Sequence, residues 1–285
     1  HIWIQPAAGD AGGSLGGALQ YWYHELGNKR EIKIKNDDEM KGSYLGPEFS
    51  NDEIKKELIE NKAVFDELDD QELINYTAKS LSNGEAVGWF QGRMEFGPRA
   101  LGGRSILGDP RSSTMQKNLN LKVKYRESFR PFAPSVLRED VNNWFKINDD
   151  SPYMLIVAEI LDKKKIEMTN EEKKLFGIDK LNIQRSDIPA VTHVDYSARI
   201  QTVREDANPI FYKLIKSFKQ KTGCPILVNT SFNVRGEPIV NSPLDAFNCF
   251  MGTELDILVI GNFYLKKEKQ SNNLITDYKN RYELD

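Results

Sequence analysis

Residues 86–107 read AVGWFQGRMEFGPRALGGRSIL. The opening AVGWF (86–90) is a short apolar run of the kind a buried strand needs, and the stretch 88–107 then holds five glycines and three arginines. Similar apolar runs recur downstream as PFAPSVL (131–137), YMLIVAE (153–159), CPILVN (224–229) and DILVIG (256–261). Between them, helical patterns are predicted near 112–122, 139–145, 208–222 and 243–252. Strand and helix patterns that alternate in this way predict a mixed α/β (α+β) domain.

Working outward toward the N-terminus, helices are predicted at about 51–61, opened by Ser50 or Asn51 as cap, and at about 70–82. PAAGDAGGSLGGALQYWYHELG (6–27) reads as a glycine-rich turn feeding a helix from about Ser14. Ala18, Leu19, Trp22 and Leu26 would share one face and Gly27 would stop it. A loop of this kind can present free N–H groups to an anion. A charged segment from Glu31 to Met40 gives way to GSYLGPEFS (42–50), where a domain boundary is placed. The lysine-rich piece near 163–182 is expected to be an exposed insertion.

The chain of 285 residues is 39% apolar and 28% charged, enough to bury a sizeable core. It contains no run of eighteen apolar residues, no basic-then-apolar leader and no lipidation box, which fits a cytoplasmic protein. Cys224 and Cys249 lack CxxC spacing and histidine neighbours, so both are expected as core residues. The opening HIWIQPAAGD has no initiator methionine and reads as mid-domain sequence, so a longer polypeptide is expected.

The net charge is −3, but it is uneven. Arg93 to Arg138 holds seven arginines, three lysines and three acids, a balance of +7 that leaves −10 for the rest. A basic segment in an acidic chain predicts a focused anion site, because the acidic remainder repels a long polyanion such as nucleic acid.

Four constellations carry chemistry. In 88–107 the glycines permit close backbone approach, and Arg93, Arg99 and Arg104 offer forks that match phosphate oxygens, which together predict an anion cradle. The spacing is neither a P-loop nor a dinucleotide fingerprint. In NLNLKVKYRESFRPFAPSVL (118–137), Lys122, Lys124 and Arg126 alternate, with Arg130 four residues on. An extended backbone would put the first three on one face, while Tyr125 and Phe129 are expected in the core. SARIQTVRED (197–206) places Arg199 and Arg204 around a short strand. In PILVNTSFNVRGEPIV (225–240) an apolar strand runs into Asn229, Thr230, Ser231 and Asn233, either ligand contacts at a strand end or turn caps.

GRMEFGPRALGGRSIL with its following DPR, VKYRESFRPFAPSVL, HVDYSARIQTV (193–203) and LVNTSFNVRGEPIV together resemble the O-carbamoyltransferases of nodulation-factor and of aminocoumarin, cephem and aminoglycoside antibiotic biosynthesis. The resemblance runs from PAAGDAGGSLGGAL to the end of the chain. It implies a C-terminal YrdC-like mixed-sheet domain, here 43–285. Residues 1–42 would be the end of an actin-like ATPase-type domain, related to the tRNA threonylcarbamoyladenosine synthases, that handles the acceptor. The implied reaction combines ATP with carbamoyl phosphate to form carbamoyl-adenylate, releasing pyrophosphate. The upstream domain then passes the carbamoyl group to a hydroxyl of a sugar or natural product, using an Fe2+-type site.

The resemblance also implies residue roles. Arg99, Lys124 and Arg130 would be the catalytic cations holding carbamoyl phosphate and the ATP phosphates, with Arg93 and Arg126 in support. Arg199, Asn229, Ser231 and Asn233 would complete the pocket, and Mg2+ would accompany ATP. Asp10 resembles the metal-ligating carboxylate of the upstream domain, but only His1, His24 and His193 exist to join it, so the histidine-rich metal motif is absent. The alternative is a non-catalytic nucleotide- or RNA-binding module of YrdC-like type.

Overall fold

In the computed structural model, which describes residues 4–31, 38–181, 183–275, 278 and 281–282, apolar runs become the inner strands of one sheet. The strands are β1 (Asp66–Glu67), β2 (Val87–Phe90), β3 (Arg104–Gly108), β4 (Ala133–Leu137), β5 (Ile156–Glu159), β6 (Ser197–Val203), β7 (Ile226–Ser231), β8 (Ile257–Ile260) and β9 (Phe263–Lys266). The helices are α1 (Asp10–Gln20), α2 (Asn51–Glu60), α3 (Asp70–Ser82), α4 (Met115–Asn118), α5 (Gly177–Leu181), α6 (Pro209–Thr222) and α7 (Pro243–Gly252). The sheet order is β1-β9-β8-β2-β3-β7-β4-β6-β5. β2 runs parallel to β8 and β4 to β6, and the other neighbours are antiparallel, so the fold is mixed α/β.

Every residue of β2, β3, β4 and β8 is buried, which is why these strands read as continuous apolar runs and not as alternation. Helices α3 and α6 pack on each other and against the sheet, while α7 packs against the sheet and α2 packs on α7. α6 buries Phe211, Leu214, Ile215 and Phe218 at helical spacing, and is bounded by the Asn208 cap with Pro209 behind it and by Gly223 at φ +75°. Capping boxes open α2 (Ser50, Glu53) and α7 (Ser242, Asp245). A cap contributes about 1 kcal/mol, whereas each buried Phe or Leu contributes about 1.5–3 kcal/mol, so packing decides where these helices lie.

The register brings particular ends together. Phe90 at the end of β2 faces Arg104 at the start of β3, and Ser231 at the end of β7 faces Ser105. Ala133 at the start of β4 lies beside Asn229, and the start of β6 lies on the same side of the sheet. One end of the sheet thus collects the segments 91–103, 124–132, 193–199 and 231–238.

Several expectations change. RSILG forms the whole of β3, although its first residues read as part of a glycine-rich segment, and FYLK forms β9, which no apolar run announced. The helix placed from Ser14 begins at Asp10, and its intended inner face is open, with Leu19 45% and Trp22 52% exposed. Residues 139–145 yield a 3-10 helix over Arg138–Asn143, and only Ile156–Glu159 of 153–159 is strand. Phe129 is exposed, not core. Cys224 and Cys249 are free and buried as expected. No described residue from 161 to 181 is buried, in keeping with an insertion. Among the described residues no helix is long and apolar enough to cross a membrane.

Candidate functional site

The glycine-rich segment turns inward on a carboxylate of its own. Glu95, 5% exposed, accepts through Oε1 from the backbone N–H groups of Leu101 (2.7 Å), Gly103 (2.6 Å) and Arg104 (3.3 Å). The backbone donors of Leu101, Gly103 and Arg104 are therefore engaged within the protein, so any anion held by this loop would be held by its arginine side chains. Gly102, at φ +108°, and Gly103 make the turn possible. A Cβ at Gly102 would lie 2.3 Å from the Phe211 ring, and one at Gly103 would lie 2.7 Å from the Arg93 carbonyl. Arg104 is fully buried beneath Phe90, with 3.5 Å between guanidinium and ring centroid, and donates to the carbonyls of Gln91, Gly92, Gly103 and Pro47. Burial pushes its pKa down to about 10, while Glu95 and Glu48 oppose that shift.

Arg93 leaves the group. It pairs with Glu48 at 3.4 Å and donates to Gly46 O. Arg111 is held by Asp109, Arg138 by Asp150, and Arg204 by Asp206 and Asp150. Among the described residues, Arg99, Lys124, Arg126, Arg130 and Arg199 enter no ion pair. This division separates arginines that carboxylates hold in the fold from Arg99, Arg126, Arg130 and Arg199, whose charge no carboxylate pairs, while Lys124 is held by neutral oxygens.

Lys122, Lys124 and Arg126 are not aligned on a strand. Residues Leu119–Val123 form a π-helical turn and Tyr125 takes φ +48°, a left-handed conformation uncommon outside glycine. Lys122 consequently points to Glu254 (3.1 Å), away from Lys124 and Arg126. Tyr125, partly buried against the core, donates its hydroxyl to Gly252 O. Lys124 is 3% exposed and its Nζ meets four oxygens: Ser231 O (2.5 Å), Asn233 Oδ1 (2.7 Å), Asn233 O (2.9 Å) and Ser231 Oγ (3.2 Å). It staples the turn after β7 to the turn before β4. Burial first, then Arg126, pushes its pKa down to about 7.

A cleft of about 260 Å³ opens above this staple, lined by Lys124, Arg126, Arg130, Ser231, Asn233 and Arg235. Arg126 is anchored by Asn120 Oδ1 (2.6 Å) and lies over Phe132; burial, then Arg130, pushes its pKa down to about 10. The fully buried Asn120 also donates to Ser128 O and Arg130 O, folding the segment around its amide. Arg130 itself is exposed.

Arg99 and Arg199 form a second group beside the first. Burial pushes the Arg199 guanidinium down to about 10, and the positive charge of Arg99 adds to that shift. The Nε atoms of both arginines are buried without a hydrogen-bond partner among the described residues. Asn229, 1% exposed, donates to Ala100 O (3.1 Å), next to Arg99, and to Ser135 Oγ and Gln201 Oε1 (3.0 Å each), leaving its Oδ1 unpartnered. Asn229 and Ser231 lie two residues apart on β7, so their side chains share a face about 7 Å apart. Ser231 contacts Lys124, so the two cation groups adjoin. Ser197, on the same face of β6 as Arg199, holds His193 through Nδ1 (3.2 Å) and donates to Asp195 (2.6 Å). Burial, with Arg199 in the same direction, lowers the His193 pKa.

The site residues named from sequence therefore fall into place unequally. Arg99, Lys124, Arg126, Arg130, Arg199, Asn229, Ser231 and Asn233 converge, whereas Arg93 serves an ion pair outside either group. Glu95, Asn120, Gln201 and Ser135 were missed, and only the position of Glu95 and Asn120 inside the basic segments marked them. Asp10 is exposed at the start of α1. Among the described residues no three His, Cys, Asp or Glu side chains assemble as a metal site, so Asp10 has no co-ligands there for an iron-type ion. The unpaired cations and the orphaned Nε atoms suit phosphate oxygens, as borne by ATP.

Residues 78–267 match the family model described as the carbamoyltransferase C-terminus. An uncharacterised protein of Synechocystis sp. is 58% identical over 95% of this chain and 44% of its own length. Nodulation protein NolNO of Sinorhizobium fredii is 41% identical over 95% of this chain and 36% of its own. The 3'-hydroxymethylcephem-O-carbamoyltransferase of Amycolatopsis lactamdurans is 34% identical over 66% of this chain and 32% of its own. The chain thus spans less than half the length of these relatives.

Proposed function

Because this chain belongs to the carbamoyltransferase C-terminus family, we propose that it activates a carbamoyl group with ATP for an O-carbamoyltransferase. The observation that carries the proposal is the convergence, at one end of the sheet, of five cations without carboxylate partners. Like charges brought together and partly desolvated repel one another, and anionic substrates relieve that cost.

The residues distribute the work. Lys124, Arg126 and Arg130 line the cleft and would hold the polyphosphate of ATP, with Mg2+ accompanying it. Arg99 and Arg199, beside the amide of Asn229, would hold carbamoyl phosphate. Water cleaves carbamoyl phosphate to carbamate and inorganic phosphate. A carbamate oxygen then attacks the α-phosphorus of ATP, the bond from that phosphorus to the β-bridging oxygen breaks, and pyrophosphate leaves. The chain's contribution is to bring two anions into contact and to neutralise charge spread over phosphoryl oxygens. Residues 1–42 belong, on this proposal, to the preceding acceptor-handling unit, which would transfer the carbamoyl group to a hydroxyl of a small molecule. An Fe2+ ion would belong to that unit.

The test measures phosphate and pyrophosphate released by the purified chain with ATP and Mg2+, with and without carbamoyl phosphate, together with mass detection of carbamoyl-adenylate. Carbamoyl-phosphate-dependent release of both products is expected. Salt-sensitive RNA binding without any release would replace the proposal with a binding module.

A further inference from the structure

We propose that Glu95 is a positioning residue that fixes Arg99 from behind, an inference that rests on Arg99 being a substrate-binding cation. Glu95 touches no part of the cleft lined by Lys124, Arg126 and Arg130. Its hydrogen bonds all come from the backbone of Leu101, Gly103 and Arg104, the stretch that runs from the loop carrying Arg99 into β3.

The backbone of that loop is fully engaged from the Ala100 carbonyl onward. Ala100 O accepts from Asn229; Leu101 O accepts from Gln201 Nε2 (2.7 Å) and Tyr44 OH (2.8 Å). Gly102 donates to Ser105 Oγ (3.0 Å) and accepts from Trp89 Nε1 (2.9 Å). Gly103 O accepts from Gln91 N, and Arg104 O from Phe232 N. The N–H groups of Leu101, Gly103 and Arg104 all converge on the one oxygen of Glu95. From Ala100 O to Arg104 O each backbone donor and acceptor is taken, so a change of conformation there would leave buried polar groups unpaired. Of the three arginines in 88–107, Arg104 is consumed by carbonyls and Arg93 by Glu48, so the order imposed by Glu95 is delivered to Arg99. The negative charge of Glu95 also offsets the burial of Arg104. A carboxylate accepts three N–H groups more strongly than a neutral amide oxygen does, which explains why an acid stands inside a basic loop.

Glu95→Gln keeps an acceptor of the same reach and removes the charge. Expected are a cooperative melt, faster amide exchange at Leu101 and Gly103, a shifted Arg99 Nε–H resonance, and about tenfold weaker carbamoyl phosphate binding, since displacement of a binding group by about 1 Å can cost up to ~100-fold. In an Arg99→Ala background Glu95→Gln should add nothing to the loss of binding. Glu95→Asp, which keeps the charge but shortens the reach, should recover part of the affinity if it folds. Unchanged exchange and an unchanged Arg99 resonance, both measured without ligand, would overturn the proposal, as would a full additional loss in the Arg99→Ala background. A wild-type chain that binds no carbamoyl phosphate but shows the exchange and resonance changes in Glu95→Gln would remove the functional reading and leave the hold of Glu95 on the loop standing.

Discussion

The loop 95–104 and the segment 119–130 are both basic, both border the same sheet end, and are organised in opposite ways. The first closes on the charged Glu95, spends its backbone donors internally and exports a single side chain, Arg99. The second wraps around the neutral amide of Asn120 and leaves Lys124, Arg126 and Arg130 lining a cleft. The difference teaches that glycine content marks where a backbone must turn tightly, whereas affinity for an outside anion lies in cations that the fold has not paired.

The largest expected effect comes from removing a partly buried, unpaired cation. Arg199→Ala deletes charge-assisted contacts worth about 1.5–3 kcal/mol, so carbamoyl phosphate should bind about 10- to 150-fold more weakly in calorimetric titration. An effect no larger than twofold would remove Arg199 from the site.

Next comes Lys124, whose four oxygen neighbours make it both staple and charge. Lys124→Met should cost about 1–3 kcal/mol in chemical denaturation, because buried acceptors lose their donor. Its pKa also gives a sign. The folded value, about 7, lies below the ordinary 10.5, so the cost of the buried ammonium is fully present below pH 7 and fades as pH rises toward 10.5. Stability should therefore climb across that window in the wild type and climb less in Lys124→Met. Anion affinity should fall as pH rises through about 7, a step the variant should lack.

A smaller effect on binding, but a clear one on stability, is expected at Gly102. Alanine there meets the Phe211 ring at 2.3 Å and an unfavourable φ of +108°, so Gly102→Ala should lose about 1–3 kcal/mol. An unchanged melting temperature would show that the closed loop is softer than its hydrogen bonding implies.

Much of the fold was legible. AVGWF, CPILVN and DILVIG mark β2, β7 and β8 because both sheet faces are covered, and Ser50, Asn208 and Gly223 mark helix ends by their own chemistry. β3 was hidden because its first residue is an arginine, buried by carbonyls and by Phe90 that no local pattern reveals. The site was legible in residue type, since Arg99, Lys124, Arg130, Arg199 and Asn229 meet, but not in pairing. Nothing in the string shows that Glu48 takes Arg93 or that Glu95 takes the loop's amides, because both depend on backbone approach. The one-faced strand over Lys122–Arg126 does not form, because Leu119–Val123 close a π-helical turn and Tyr125 then adopts φ +48° against the preference of its side chain.

The most direct measurement is the carbamoyl phosphate affinity of Arg99→Ala beside that of Arg93→Ala, two arginines of one loop that differ in having or lacking a carboxylate partner. Arg99→Ala is expected to lose at least about tenfold while Arg93→Ala stays near wild type. Equal losses in the two variants would contradict that expectation.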